Sequence, residues 1–398
     1  MSADLTEYDS FRRSKYFPSL DGLRCLSILA VIWHHALPEH FSTLAKRGGL
    51  GVELFFVISG FLITTLLLRE REDKGQISLK GFYLRRTLRI FPLYYAAIGL
   101  FAISTLLAEA DGGIRGDFFY NLRYFLTYTS NWFVRPQAGK RVIMILAWSL
   151  ATEEQFYVVW PPIVRLAARW WIPLATMCSF IAVKEGTELY FHINPLGAQT
   201  LYDNLPVIIV RSIATPICLG CLLAYALHHR RSFAILKPLL GRIWSAPALV
   251  LIMLAVCLYP WNLRPNAAST PDLLVFLSMT MVVGACCIQG AHPLRAILGN
   301  ALVRYIGMIS YGLYLLHMFA IHAVRRILGE PFQYRHELVN FLLVTAIAVG
   351  LASLSYWTYE AWFLRLKDRV KGTRLANGSV TDGRPKGAFP LPVSGKFR

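Results

Sequence analysis

Residues 50–68, LGVELFFVISGFLITTLLL, carry a single ionisable side chain, Glu53, in an otherwise uncharged and mostly apolar run. A helix needs roughly 17 to 25 such residues to cross the hydrocarbon layer of a bilayer, at about 1.5 Å of rise per residue. The stretch therefore reads as a membrane span.

Comparable stretches lie on both sides of it, near 20–38, 90–108, 146–164, 170–184, 206–228, 244–260, 272–290, 302–324 and 338–362. The expected fold is all-α, a polytopic membrane helical bundle of about ten transmembrane helices. Residues 118–133 stay open between a further span and a re-entrant segment. Composition agrees: of 398 residues 55% are hydrophobic and 16% charged, and mean hydropathy is +0.45. The first apolar run follows polar residues and holds Asp21, Arg24, His34 and His35, so it does not resemble a cleavable signal peptide. The chain divides into an N-terminal segment (1–19), a transmembrane domain (20–368) and a basic tail (369–398). The tail has no apolar period and is expected to be disordered.

A net charge of +18 in a soluble protein would suggest nucleic acid. Here the charges alternate between loops, and no nucleic-acid partner is expected. Arg12, Arg13 and Lys15, then Arg69 to Arg89, then Arg230, Arg231, Lys237, Arg242 and the tail fall on one side. The segment 184–205 on the other side sets Lys184 against Glu185, Glu188 and Asp203, while Arg325, Arg326 and Arg335 run against the bias. The positive-inside rule places both termini in the cytoplasm. Residues 69–91, with Phe82, Leu84, Leu88 and Ile90 among basic side chains, read as an amphipathic helix at the cytoplasmic interface. The aromatics of the longest outer section, Phe118 to Phe133, suit an interfacial belt or a sugar-stacking surface. The lone Cys218-x-x-Cys221 lacks a second pair, so no metal site is expected, and nothing calls for a permanently bound cofactor.

Ionisable groups inside spans cost at least ~2.5 kcal/mol on insertion scales, which makes each a functional candidate. From Arg24 to His35 a helix turns about 1100°, within roughly 20° of whole turns, and rises ~16 Å. Asp21, Arg24 and His35 thus share one face, and His35 suits a general base because imidazole titrates near neutrality. A histidine there that merely bonds a neighbouring helix is the competing reading. Glu153 and Glu154 interrupt an apolar aromatic run beginning at Trp148, and Ser310, Tyr311, Tyr314 and His317 line one flank of a late helix.

Together these segments resemble the acyltransferase 3 family of integral membrane O-acyltransferases, over residues 17 to about 368. Leu20-Asp21-Gly22-Leu23-Arg24 with His35, Gly51 to Ile63, Arg86-x-x-Arg89, Trp148-Ser149-Leu150 with Glu153, Phe156 and Tyr157, Ile309 to His317, and Tyr359-Glu360 match its motifs in order. Trp362 replaces the family's usual proline, a difference of helix geometry rather than chemistry.

The resemblance implies a multi-pass protein of the bacterial inner (plasma) membrane that takes acyl-CoA, most simply acetyl-CoA, as co-substrate. The acceptor it implies is a hydroxyl of an envelope or exported carbohydrate, lipid-linked or free. His35 would act as general base or transient acyl carrier, with Arg24, Asp21 and Glu153 as its catalytic company. Arg86 and Arg89 suit the donor's phosphates, since guanidinium makes bidentate phosphate contacts; positive-inside charge or anionic-lipid binding is the alternative for them. Trp148, Tyr157, Ser310, Tyr314 and His317 are candidates for lining the acceptor path. A secondary transporter or flippase for a lipid-linked sugar or small molecule is the competing class, although no inverted internal repeat is visible.

Overall fold

The computed structural model describes residues 2–14, 16–37, 46–108, 113–134, 142–194, 201, 204–259, 270–288 and 290–366. The expected tail lies outside the described residues, as do Lys15 and Asp203. Among the described residues there is no strand.

In chain order the helices are α1 (Ser2–Arg13), α2 (Pro18–Ala36), α3 (Leu50–Lys74), α4 (Leu79–Ala108), α5 (Gly113–Leu126), α6 (Ser130–Phe133), α7 (Ala147–Leu166), α8 (Trp171–Ile193) and α9 (Leu205–Arg211). They continue as α10 (Thr215–His228), α11 (Arg230–Leu240), α12 (Ser245–Leu258), α13 (Thr270–Ile288), α14 (Arg295–Leu298), α15 (Ala301–Met308), α16 (Ser310–Leu328), α17 (Glu330–Arg335) and α18 (Glu337–Ser355). A π-helical turn over Tyr356–Glu360 follows α18.

By length and hydropathy, three helical stretches are sufficient to cross a membrane alone: Leu50–Lys74, Leu79–Leu107 and Glu337–Leu366. Up to seven qualify if each bent helix pair counts as one span. The bends account for part of the difference from the expected ten: α15 and α16 meet at 78°, α11 and α12 at 76°, α9 and α10 at 51°.

One expectation is corrected and one open choice is narrowed. Residues 69–91 do not form one interfacial helix. Arg69 to Lys74 complete α3, Gly75 turns the chain in the left-handed conformation (φ 73°) that ends a helix, and Leu79 opens α4. Of the two readings open for residues 118–133, one continuous helix is not what forms: α5 and α6 are broken at Tyr128, whose φ is 53°. The outer aromatics are in part core. Phe118, Phe125 and Tyr128 are buried, Tyr128 stacks on Tyr94 with centroids 4.3 Å apart, and Tyr94 donates to the Phe125 carbonyl at 2.8 Å.

Helix α3 is the axis of the bundle. It crosses α10 where Gly60 faces the Ile217 backbone and Gly220 faces the Val57 backbone; a Cβ at either would collide with the partner's carbonyl oxygen. Lipid supplies no hydrophobic drive between helices, so backbone approach through small residues carries such a crossing. Helix α2 is pinned at both ends. At its start Gly307 of α15 presses on the Asp21 backbone, and at its end buried Asn340 of α18 donates Nδ2–H to the Ala36 carbonyl at 2.8 Å. That bond satisfies one of the carbonyls a helix terminus leaves unpaired.

Candidate active site

His35 stands in the last turn of α2, partly accessible, and His317 is fully buried in α16. His35 Nδ1 lies 3.2 Å from His317 Nε2. His317 Nδ1 lies 2.7 Å from the Tyr314 carbonyl oxygen and 3.2 Å from that of Leu313. Carbonyls only accept, so neutral His317 carries its proton on Nδ1 and offers the Nε2 lone pair. His35 Nδ1–H is then the donor between the rings, and the lone pair of His35 Nε2 is left for a substrate proton. This tautomer assignment follows from the network. The arrangement is that of a base held by an orienting partner, with a second imidazole in the place a carboxylate fills elsewhere.

Tyr314, one turn before His317, carries the network to α7: its hydroxyl lies 2.6 Å from Ser149 Oγ and donates to the Leu146 carbonyl at 3.2 Å. Ser310 is buried at the bend between α15 and α16. Trp148 is 39% exposed and packs edge-on against Phe56 of α3 with centroids 6.1 Å apart.

Toward the other end of the bundle the remaining candidates converge. Arg24 lies 3.6 Å from Asp21, which also accepts from the Tyr16 hydroxyl. Arg86 stacks over the Tyr157 ring at 5.1 Å, Tyr157 donates to Glu153, and Ser59 Oγ donates to the same Glu153 oxygen at 2.5 Å. Tyr157 is therefore occupied beside Arg86 rather than at the histidine pair. Arg89 has Arg24 and Arg86 as its charged neighbours, with Asp21 beyond them, yet its side chain stays exposed to solvent. Three guanidiniums thus lie near one another, with Asp21 beside Arg24, Glu154 near Arg86 and Glu360 near Arg89.

Their neighbours in sequence are engaged elsewhere. Arg69 donates to the Ser14 and Phe11 carbonyls, Arg71 to those of Arg165 and Ala167, and Arg85 and Lys74 pair with Glu70. Glu72 takes Arg12 and His228, the latter at 2.6 Å. No ion pair to Arg86 or Arg89 occurs among the described residues. Arg86 is partly buried and Arg89 exposed, whereas the charged residues around them are paired.

Sequence reading brought Asp21, Arg24, His35, Arg86, Arg89, Glu153 and Tyr157 forward, and the fold gathers them along α2 and its neighbours. It missed the contact between His35 and His317, and it missed Ser59, Ser149 and Asn340 as partners. Three-residue spacing on α16 pointed at Tyr314 and His317, but no signal in α2 named the helix they would meet.

A cavity of about 650 Å³ opens beside Trp148. Its walls include Glu53, Trp132, Lys184, Arg211 and Asp272.

The chain matches the acyltransferase domain family over residues 17–360. Curated relatives include the peptidoglycan O-acetyltransferase OatA of Listeria monocytogenes serovar 1/2a, 30% identical over 317 residues that cover 76% of this chain and 49% of that protein. Another, from Bacillus subtilis strain 168, is named "Putative peptidoglycan O-acetyltransferase YrhL"; it is 28% identical over 384 residues covering 89% of this chain and 56% of that protein. A third, from Staphylococcus aureus strain COL and named "Putative O-acetyltransferase SACOL0978", is 27% identical over 392 residues covering 93% and 60%. The chain thus spans 49% to 60% of the length of these relatives. No solved structure matches it. The family match covers most of the sequence, and the chain belongs to the acyltransferase domain family.

Proposed function

We propose that this member of the acyltransferase domain family is a membrane O-acyltransferase that moves an acyl group, acetyl in the simplest case, from cytoplasmic acyl-CoA to a hydroxyl of an envelope or exported carbohydrate. The observation that carries the reading is the layout of α2, with Arg24 at one end facing Arg86 and Arg89, and His35 at the other with its Nδ1 committed to His317. The three arginines would hold the donor's phosphates. Its long arm would then lie along α2, covering the ~16 Å of helical rise between Arg24 and His35.

At the far end His35 Nε2 takes the proton of the acceptor hydroxyl as its oxygen attacks the thioester carbon. The C–S bond breaks, and the departing coenzyme thiolate receives the proton from the His35 imidazolium. The ring then returns to the tautomer in which Nδ1–H donates to His317. An O-acetyl function for the relatives agrees with this chemistry, and peptidoglycan, named for two of them, is one acceptor the reading allows.

Ten crossings with both termini cytoplasmic belong to the same proposal. The segments that charge assigns to the cytoplasm meet at one end of the bundle: Glu72 pairs with Arg12 and His228, Lys237 with Glu7 at 3.0 Å. Such clustering is what the positive-inside arrangement requires of them.

The test is consumption of radiolabelled acetyl-CoA, and transfer of label to extracted envelope glycans, by nanodisc-embedded wild type and His35→Ala at equal folded amounts. Labelled ester from wild type alone is expected. If neither protein consumes acyl-CoA while both are folded, the reading fails and transport takes its place.

A further inference from the structure

The cavity beside Trp148 is unlike the rest of the bundle interior. Two indoles, Trp132 of α6 and Trp148 of α7, form part of its wall, together with Phe56. Trp132 is fixed there by donating Nε1–H to Ser212 Oγ at 2.9 Å, and the preceding Asn131 donates to Thr152 Oγ1 and Gln155 Oε1. Three carboxylates line the space, Glu53, Glu188 and Asp272, against two cations, Lys184 and Arg211.

The cations are already taken. Arg211 Nε and Nη2 reach the two Glu188 oxygens at 3.0 and 3.3 Å, and Lys184 lies between Glu188 (3.6 Å) and Glu185 (3.7 Å). Glu185 in turn accepts from Thr215 Oγ1 at 2.6 Å. Glu53 and Asp272 have no hydrogen-bond donor among the described residues. A carboxylate inside a spanning bundle without a donor is costly, so donors from a ligand would be strongly favoured there.

The space also adjoins the reacting end. Trp148 is followed by Ser149, whose hydroxyl meets Tyr314 one turn before His317. Gly49, four residues before Glu53 and close to the start of α3, packs beside the His34 ring. At about 650 Å³ the volume is in the range of sites for ligands of drug size, ~300 to 1,000 Å³.

Accepting the acyl-transfer reading above, we propose that this cavity is the acceptor subsite and that it takes a neutral glycan segment. Indole faces suit the C–H face of a pyranose ring. Glu53 and Asp272 accept from its hydroxyls in charge-assisted hydrogen bonds. The same two carboxylates disfavour a uronic acid or phosphate in that position, because the Lys184 and Arg211 cations of the wall are already paired with Glu185 and Glu188.

The test is binding without turnover. Nanodisc-embedded His35→Ala protein is titrated calorimetrically with chitotriose, maltotriose and trigalacturonate, then with Trp132→Ala or Glu53→Gln added, each checked by circular dichroism for an unchanged helix signal. At least one neutral trisaccharide is expected to bind. Trp132→Ala and Glu53→Gln should each weaken that binding about tenfold, trigalacturonate should bind at least tenfold more weakly, and Trp132→Phe should recover most of the loss. Absence of binding by both neutral sugars, tighter binding of trigalacturonate, or indifference to Trp132→Ala and Glu53→Gln overturns the proposal. Acyl-CoA consumption by wild type is read separately, so donor use without glycan binding sinks the subsite alone, and glycan binding without donor use sinks the acyl-transfer reading alone.

Discussion

Replacing His317 by phenylalanine tests the orientation of the base more sharply than replacing the base itself. The substitution keeps an aromatic ring in a fully buried position but removes the acceptor 3.2 Å from His35 Nδ1. An unsatisfied buried N–H costs about 1 to 3 kcal/mol, so losing this acceptor shifts the His35 tautomer balance toward the form with its proton on Nε2. That form has no lone pair at the reacting nitrogen. A correctly placed general base contributes ~10² to 10⁴ in rate, and kcat for acyl transfer should fall at least tenfold and by about a hundredfold if the tautomer fully inverts. The KM for acyl-CoA should stay within threefold, since Arg24, Arg86 and Arg89 are untouched. Glutamine is the control, because its amide can donate to the Tyr314 carbonyl while its oxygen accepts from His35 Nδ1–H. His317→Gln should therefore retain several-fold more activity than His317→Phe. Steady-state kinetics in nanodiscs, with folded protein quantified by size-exclusion chromatography, read both. Wild-type kcat in His317→Phe refutes the orientation argument, and a Gln variant as inactive as Phe would make His317 itself the proton acceptor.

Three other substitutions follow from the same contacts. Arg86→Ala or Arg89→Ala should raise KM for acyl-CoA about tenfold to a hundredfold with kcat nearly unchanged, the loss expected of one charged hydrogen bond at ~1.5 to 3 kcal/mol; Arg85→Ala, whose partner is Glu70, should leave KM within twofold, as donor-saturation curves can check. Asn340→Leu leaves the Ala36 carbonyl unpaired and loosens the turn that carries His35, so thermal unfolding should begin several degrees lower and kcat should fall together with it. Gly60→Leu forces a side chain into the Ile217 carbonyl, and fluorescence-detected size exclusion should find little monodisperse protein, whereas Gly99→Leu, where a Cβ meets nothing within 4 Å, should behave as wild type.

The parts of the fold that were legible are those written as continuous apolar length. Residues 50–68 need no partner to be read as a span, and α3 contains them. The bent pairs were harder, because a break such as Ser212 to Ala214 between α9 and α10 leaves hydropathy almost undisturbed while turning the axis by 51°. The amphipathic look of 69–91 misled for a physical reason: the charged ends of two antiparallel helices alternate polar and apolar residues much as an interfacial helix does. Only the left-handed φ of Gly75 tells them apart. Of the candidate site, residues sharing one helix were placed by geometry alone, as with Asp21, Arg24 and His35. Contacts between helices were not, and Ser149 with Tyr314, His35 with His317, and Lys184 and Glu188 with Arg211 all join residues whose separation in sequence sets no distance. Trp132 stood among the outer aromatics with either a belt or a sugar face open to it, and only the fold shows that it lines a cavity.

On the proposed acyl-transfer reading, helix α2 explains how two halves of the chemistry so far apart would cooperate. A thioester held only at its phosphates would sample many positions at the end of its flexible arm, and proximity gains depend on reacting atoms resting within about 3 to 3.5 Å of attack. The protein limits that freedom by fixing the ruler rather than the arm. Gly307 lets α15 press on the Asp21 backbone at one end of α2, and Asn340 holds the Ala36 carbonyl at the other. Between these two points a helix of fixed rise sets the separation of Arg24 from His35, so a donor anchored at the arginines, as proposed, would be presented to His35 at a constant distance. Lengthening α2 by one residue between Ser27 and Val31 would add ~1.5 Å and rotate His35 by about 100° away from His317, and the second change, not the first, is the one the active site could not absorb.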